Sequence, residues 1–82
     1  LDMTDNQNGI SGRDWIEKFA EKLGTFPPNE KEMEALLDLA GVAAHDSERL
    51  AAPLACWLTA KAGLSPSEGL KLAEALVSER TR

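Results

Sequence analysis

The run from Glu30 to Asp46, EKEMEALLDLAGVAAHD, repeats apolar side chains every three to four residues, a spacing that gathers them on one side of a helix. Pro27 and Pro28 stand before it and Pro53 after it, and a proline lacks the amide hydrogen that a helix interior uses. With Met33 at zero and about 100° per residue, Leu36, Leu37, Ala40, Ala43, Ala44 and Ser47 all fall within about 80° of it. Lys31, Glu34, Asp38, His45 and Arg49 collect in a band roughly 100° to 160° away, with Leu39 and Val42 beyond that band. An apolar arc this broad packs against more than one neighbour. The segment is therefore expected to be the central helix, with Leu37 in the middle of its buried face.

The flanking segments carry their own start and stop signals. Ser11 with Asp14 three residues later resembles a capping box, and Trp15, Ile16, Phe19, Ala20 and Leu23 recur at helical spacing, so a helix is predicted over 12–23. Gly24 suits the left-handed position that closes it, and Trp15, Phe19 and Phe26 are expected to anchor it to the rest. Asn29 with Glu32 starts the central helix at about Glu30, and the break after it is placed between Asp46 and Ala52. A third helix follows with Leu50, Leu54, Trp57 and Leu58 as its apolar face, ending by Gly63. Ser65, Pro66 and Glu68 then supply cap, first-turn proline and acid in register for a fourth helix to about Glu79, with Leu70, Ala73, Leu76 and Val77 as its stripe. The glycines read as helix-end residues. No alternating β-branched run or hairpin dipeptide appears.

The expected fold is all-α, a compact bundle of four short helices over 12–82, with residues 1–11 a flexible tail too poor in apolar groups to repay its ordering. Met3 reads as a natural start, with Leu1 and Asp2 as additions before it. Eighty-two residues suffice for one small core. A net charge of -5, with the nine Lys and Arg residues scattered, opposes nucleic acid and anionic membrane as partners, because both are bound through clustered cations. One cysteine permits no internal disulfide, and no long apolar run or signal pattern occurs, so a cytoplasmic protein is expected.

His45, Glu48 and Arg49, spaced i, i+3 and i+4, are neighbours if the central helix persists through Arg49, and they form the candidate binding cluster. An imidazole beside a carboxylate can move a proton, and a guanidinium grips carboxylate or phosphate with two hydrogen bonds. The plainer alternative has His45 meeting a helix dipole and Arg49 tying down a loop. One histidine and one thiol supply too few metal ligands, and no nucleophile elbow, catalytic triad or phosphate loop is present, so neither an enzyme nor a cofactor is expected. Cys56, between Ala55 and Trp57, reads as a small buried hydrophobe, and Trp15 and Trp57 as core.

Two resemblances bear on function. Asp46-Ser47 in an acidic four-helix chain is similar to the acyl carrier proteins, which would make Ser47 a modified residue. Here, however, the pair ends a strong helix, the leucine expected next is displaced to Leu50, and Pro53 interrupts the helix after it. A fuller resemblance rests on Trp15 and its helix, on ALLDLAGVAAH from Ala35 to His45, on Glu48-Arg49, on Ala52-Pro53-Leu54, and on the last helix with Ala73 and Leu76. In these the chain resembles a family of small actinobacterial helical domains of unknown function, found alone or joined to molybdopterin-guanine dinucleotide biosynthesis proteins. The resemblance implies a non-catalytic accessory role near molybdenum cofactor biosynthesis, with a nucleotidyltransferase of that route as protein partner, and it implies no catalytic residue.

Overall fold

The computed structural model describes residues 9–81. Four helices follow one another along them, α1 (Gly12–Leu23), α2 (Glu30–Asp46), α3 (Ala51–Lys61) and α4 (Pro66–Arg80), and no strand occurs among the described residues. The all-α, four-helix expectation holds. The tail expected over residues 1–11 lies outside the described residues except for Gly9 to Ser11.

Three of the four helix starts are written into the local sequence. The Ser11 hydroxyl accepts from the Asp14 amide at 3.1 Å. The Asn29 side chain accepts from the Glu32 amide at 2.8 Å while the Glu32 carboxylate accepts from the Asn29 amide at 2.9 Å, and Ser65 and Glu68 repeat this exchange at 3.2 and 2.9 Å. Each such cap contributes about 1 kcal/mol by satisfying amides that a helix start leaves unpaired. The Ser65 amide, and after it the Ser65 side chain, hold the Glu68 carboxyl below its ordinary range. Gly24 closes α1 at φ 78°, its amide directed to the carbonyls of Ala20 and Glu21. The start of α3 has no side-chain cap. Instead the Ala51 and Ala52 amides donate to the carbonyls of Glu48 and Arg49 at 3.0 and 3.1 Å. Pro53 then falls in the first turn, where its missing amide costs nothing, so the break expected between Asp46 and Ala52 is present and Pro53 lies inside the helix that follows.

Both α3 and α4 pack against α2 and also touch each other, which gives α2 the central position its periodicity predicted. The face it buries differs from the expected one. Leu39 is 2 % exposed with Ala35 beside it, whereas Leu37, expected at the middle of the buried face, is 70 % exposed. At about 100° per residue the two leucines point some 160° apart. Apolar residues run so far round α2 that periodicity left its rotation open, and the packing of α3 and α4 on the Leu39 side decided it. Asp46 lies on that same side, and Arg80 answers it. The guanidinium Nε donates to the Asp46 carboxylate at 2.8 Å and a second nitrogen donates to the Asp46 carbonyl at 3.3 Å, joining the ends of α2 and α4.

Helix α3 turns its small side chains inward. Ala52, Ala55, Cys56 and Thr59 are half-buried, while Leu50, Leu54, Trp57 and Leu58, expected to form the buried face, are exposed. On α4, Leu70, Ala73 and Val77 are half-buried as expected, but Leu76 is exposed. Small residues bring the helix axes close. The tightest place is Gly69, buried within α4, where a Cβ would come to 2.5 Å from both Thr59 Cγ2 and Thr59 Oγ1. Gly69 and Gly41 thus sit inside helices, against the reading of the glycines as helix-end residues, and Gly69 does so because α3 crosses α4 there.

No residue of α1 comes within 8 Å, Cα to Cα, of another helix among the described residues. An ion pair from Arg13 to Glu30 at 2.7 Å tethers it to the start of α2, and the same Arg13 nitrogen lies 3.4 Å from the Met33 sulfur. Ala20 is buried, but Trp15, Phe19 and Phe26, expected to dock the helix, are exposed. The Trp15 and Phe19 rings lean on each other instead, with centroids 5.1 Å apart. The described chain measures only 19 Å across its thinnest dimension, about two helix diameters, so few side chains can be enclosed.

Two stability measurements test this packing. Leu39→Ala is expected to cost about 2 to 5 kcal/mol and Leu37→Ala under about 0.5 kcal/mol in chemical denaturation. Equal losses would mean that the rotation of α2 is misplaced. Gly69→Ala is expected to cost about 1 to 3 kcal/mol through overpacking, and Thr59→Ala in the same chain should recover part of the loss, because it removes the two closest atoms. Strict additivity of the two substitutions would show that residues 59 and 69 do not meet.

Candidate functional site

Because α2 ends at Asp46, His45 stands in its last turn while Glu48 and Arg49 belong to the connecting turn, so the helical spacing that would have made all three neighbours does not apply. All three are exposed. His45 and Arg49 still come together, bordering with Ala44 a shallow depression of about 250 Å³, and Glu48 is not among its lining residues. No hydrogen bond or ion pair joins the three among the described residues. Without a paired carboxylate the imidazole is not oriented as a base. What the corner offers is a guanidinium beside an imidazole, neither engaged among the described residues, suited to gripping a carboxylate or phosphate.

His45 also borders a second small depression, with Val42, Asp46 and Val77, which opens into a larger groove. That groove, about 630 Å³, runs between α2, α3 and α4, and Leu50, Leu54, Leu58, Val42, Leu76 and Val77 give it an apolar wall. The Asp46–Arg80 ion pair lines it as well. Sequence reasoning missed it by assigning these leucines to the core. The available signal was an excess: Leu50, Leu54 and Leu58 form a stripe at i, i+4 and i+8 in a chain whose core has little room for them. A cleft of about 560 Å³ on α1, bordered by Trp15, Phe19, Lys18, Glu21 and Lys22, makes a second apolar surface. Trp57, read as core, is also 60 % exposed, with the Lys61 ammonium 5.7 Å from its ring centroid in a cation–π contact.

Other sequence candidates are engaged in structural roles. Ser47 closes α2, its hydroxyl donating to the Ala43 carbonyl at 2.7 Å, whereas a carrier protein needs its serine free at the start of a helix. Cys56 is half-buried with its sulfur 3.9 Å from the Leu36 carbonyl, and burial pushes its thiol pKa up, away from the reactive thiolate. Among the described residues no group of three or more His, Cys, Asp or Glu gathers as a metal site, and no helix is long and apolar enough to cross a membrane.

Comparison with known proteins gives one match. The family model described as Domain of unknown function (DUF6457) matches residues 8–81. No curated protein and no solved structure matches.

With their side chains exposed and unbonded, Arg49→Ala and His45→Ala are each expected to shift stability by no more than about 0.5 kcal/mol. A thermal melt checks this. A loss above about 1 kcal/mol would show that the corner carries the α2–α3 junction through a buried hydrogen bond.

Proposed function

The chain belongs to this family of unknown function across residues 8–81, and we propose that it is a non-catalytic accessory domain that works by binding another protein. The observation that supports this reading most is the placement of its large hydrophobic residues. Among the described residues twelve of them are exposed, Trp15, Phe19, Leu54, Trp57 and Leu58 included, while the buried hydrophobic set is Ala20, Ala35 and Leu39. A monomer that functions alone rarely leaves apolar surface on this scale, because keeping it in water forfeits about 25 cal/mol for every Å² left unburied.

The proposed partner is a nucleotidyltransferase of molybdenum cofactor biosynthesis, a reading supported by the resemblance to small helical domains found alone or joined to molybdopterin-guanine dinucleotide biosynthesis proteins, and the proposed compartment is the cytoplasm. The contact is proposed to centre on the polar corner, with Arg49 meeting a carboxylate of the partner and His45 beside it. An exposed arginine contributes little to its own fold yet can dominate an interface once the partner excludes water from it.

The experiment is a binding titration of the purified chain against that nucleotidyltransferase from the same host. Saturable binding is expected, with Arg49→Ala weakening it about tenfold or more, equivalent to about 1.4 kcal/mol, at an unchanged melting temperature. Absence of binding removes the proposed partner, and wild-type affinity in Arg49→Ala removes the corner as its contact.

A further inference from the structure

We propose that two copies of this chain associate about a two-fold axis, the aromatic face of α1 of each seated in the α2–α3–α4 groove of the other. The inference goes beyond the partner protein proposed above, whose contact is the polar corner; the second copy covers Trp15, Phe19, Leu54 and Leu58 of the exposed set and leaves His45 and Arg49 to that partner. Two apolar surfaces on the same chain lack a covering. One is convex, the stripe Trp15, Ile16, Phe19 and Leu23 on α1, and the other is concave, the groove with Leu50, Leu54, Leu58 and Leu76 in its wall.

The chain in its described conformation does not bring the two together. Arg13 pairs with Glu30 and so fixes α1 at the beginning of α2, whereas the groove draws on Val42, Ala43 and Asp46 at the other end. Those ends are separated by the length of a 17-residue helix, about 25 Å at 1.5 Å per residue. A second copy laid in the opposite direction supplies an α1 to each groove, and a two-fold axis makes the contact twice and closes it, leaving no further surface to propagate.

Area and charge both fit a second copy. The eight residues of stripe and groove are between 37 and 61 % exposed, together roughly four whole side chains. At roughly 200 Å² each that is about 800 Å² per copy, the amount a standard stable interface takes from each partner. The whole chain carries -5, which opposes self-association, but on α1 Lys18 and Lys22 balance two of Asp14, Glu17 and Glu21, Arg13 being paired with Glu30. In the groove, Asp46 is already neutralised by Arg80. The contact therefore brings no net like charge together.

Sedimentation of the full chain from micromolar to millimolar concentration tests the proposal. Wild type is expected to double its mass from 8.9 kDa as concentration rises. Phe19→Glu and Leu54→Glu are each expected to weaken the dimer by at least about tenfold with helical circular dichroism retained, since both side chains are exposed. A wild type that stays monomeric throughout overturns the proposal and leaves the groove to a helix of another protein. A dimer indifferent to either substitution overturns it equally.

Discussion

Enclosing Leu39 is the constraint on which the rest of the structure depends. It is the largest side chain taken fully out of water among the described residues, and a single helix laid against α2 could not surround it. Walls on both sides are needed, and α3 and α4 supply them. They can stand that close only because the residues they turn inward are small. Ala52, Ala55, Cys56 and Thr59 line the inner side of α3, and Gly69 admits Thr59 where the two helices meet. The same closeness places Asp46 on the inner face, where an unpaired carboxylate would be costly, and the Arg80 pair at the far end of α4 meets that cost.

Packing through small residues has a consequence for the large ones. A helix circumference that gives its inner arc to alanine and glycine has to carry most of its leucines elsewhere, and on α3 and α4 all but the half-buried Leu70 flank the groove or face solvent. A slab about two helices thick has no second interior to receive them. The exposed apolar surface is thus not an accident of composition. It follows from the way the core is closed.

The side chains that the sequence offered for chemistry are dispersed or engaged in the structure. Where the cluster of imidazole, carboxylate and guanidinium was expected, the end of α2 leaves His45 on the helix and Glu48 and Arg49 in the turn that follows. The thiol of Cys56 is held away from its reactive form, and the hydroxyl of Ser47 is committed to a backbone carbonyl. What remains is a polar corner at one end of an apolar groove.

The helices themselves were legible in the sequence. Ser11, Asn29 with Glu32, and Ser65-Pro66-Glu68 mark starts that the structure uses, and Gly24 marks a stop, because a cap is a bargain between residues three or four apart and needs nothing from the rest of the chain. The central place of α2 was legible too, from the breadth of its apolar arc. The end of α2 after Asp46, a local event that takes Glu48 and Arg49 off the helix carrying His45, was legible only to within the stretch from Asp46 to Ala52. The rotation of α2, the outward leucines of α3 and the exposure of Trp57 were not legible. Each depends on how closely helices distant in sequence approach one another. That distance is set by which side chains are small at the crossing points, such as Gly69 against Thr59, a relation between residues ten apart that no local periodicity records.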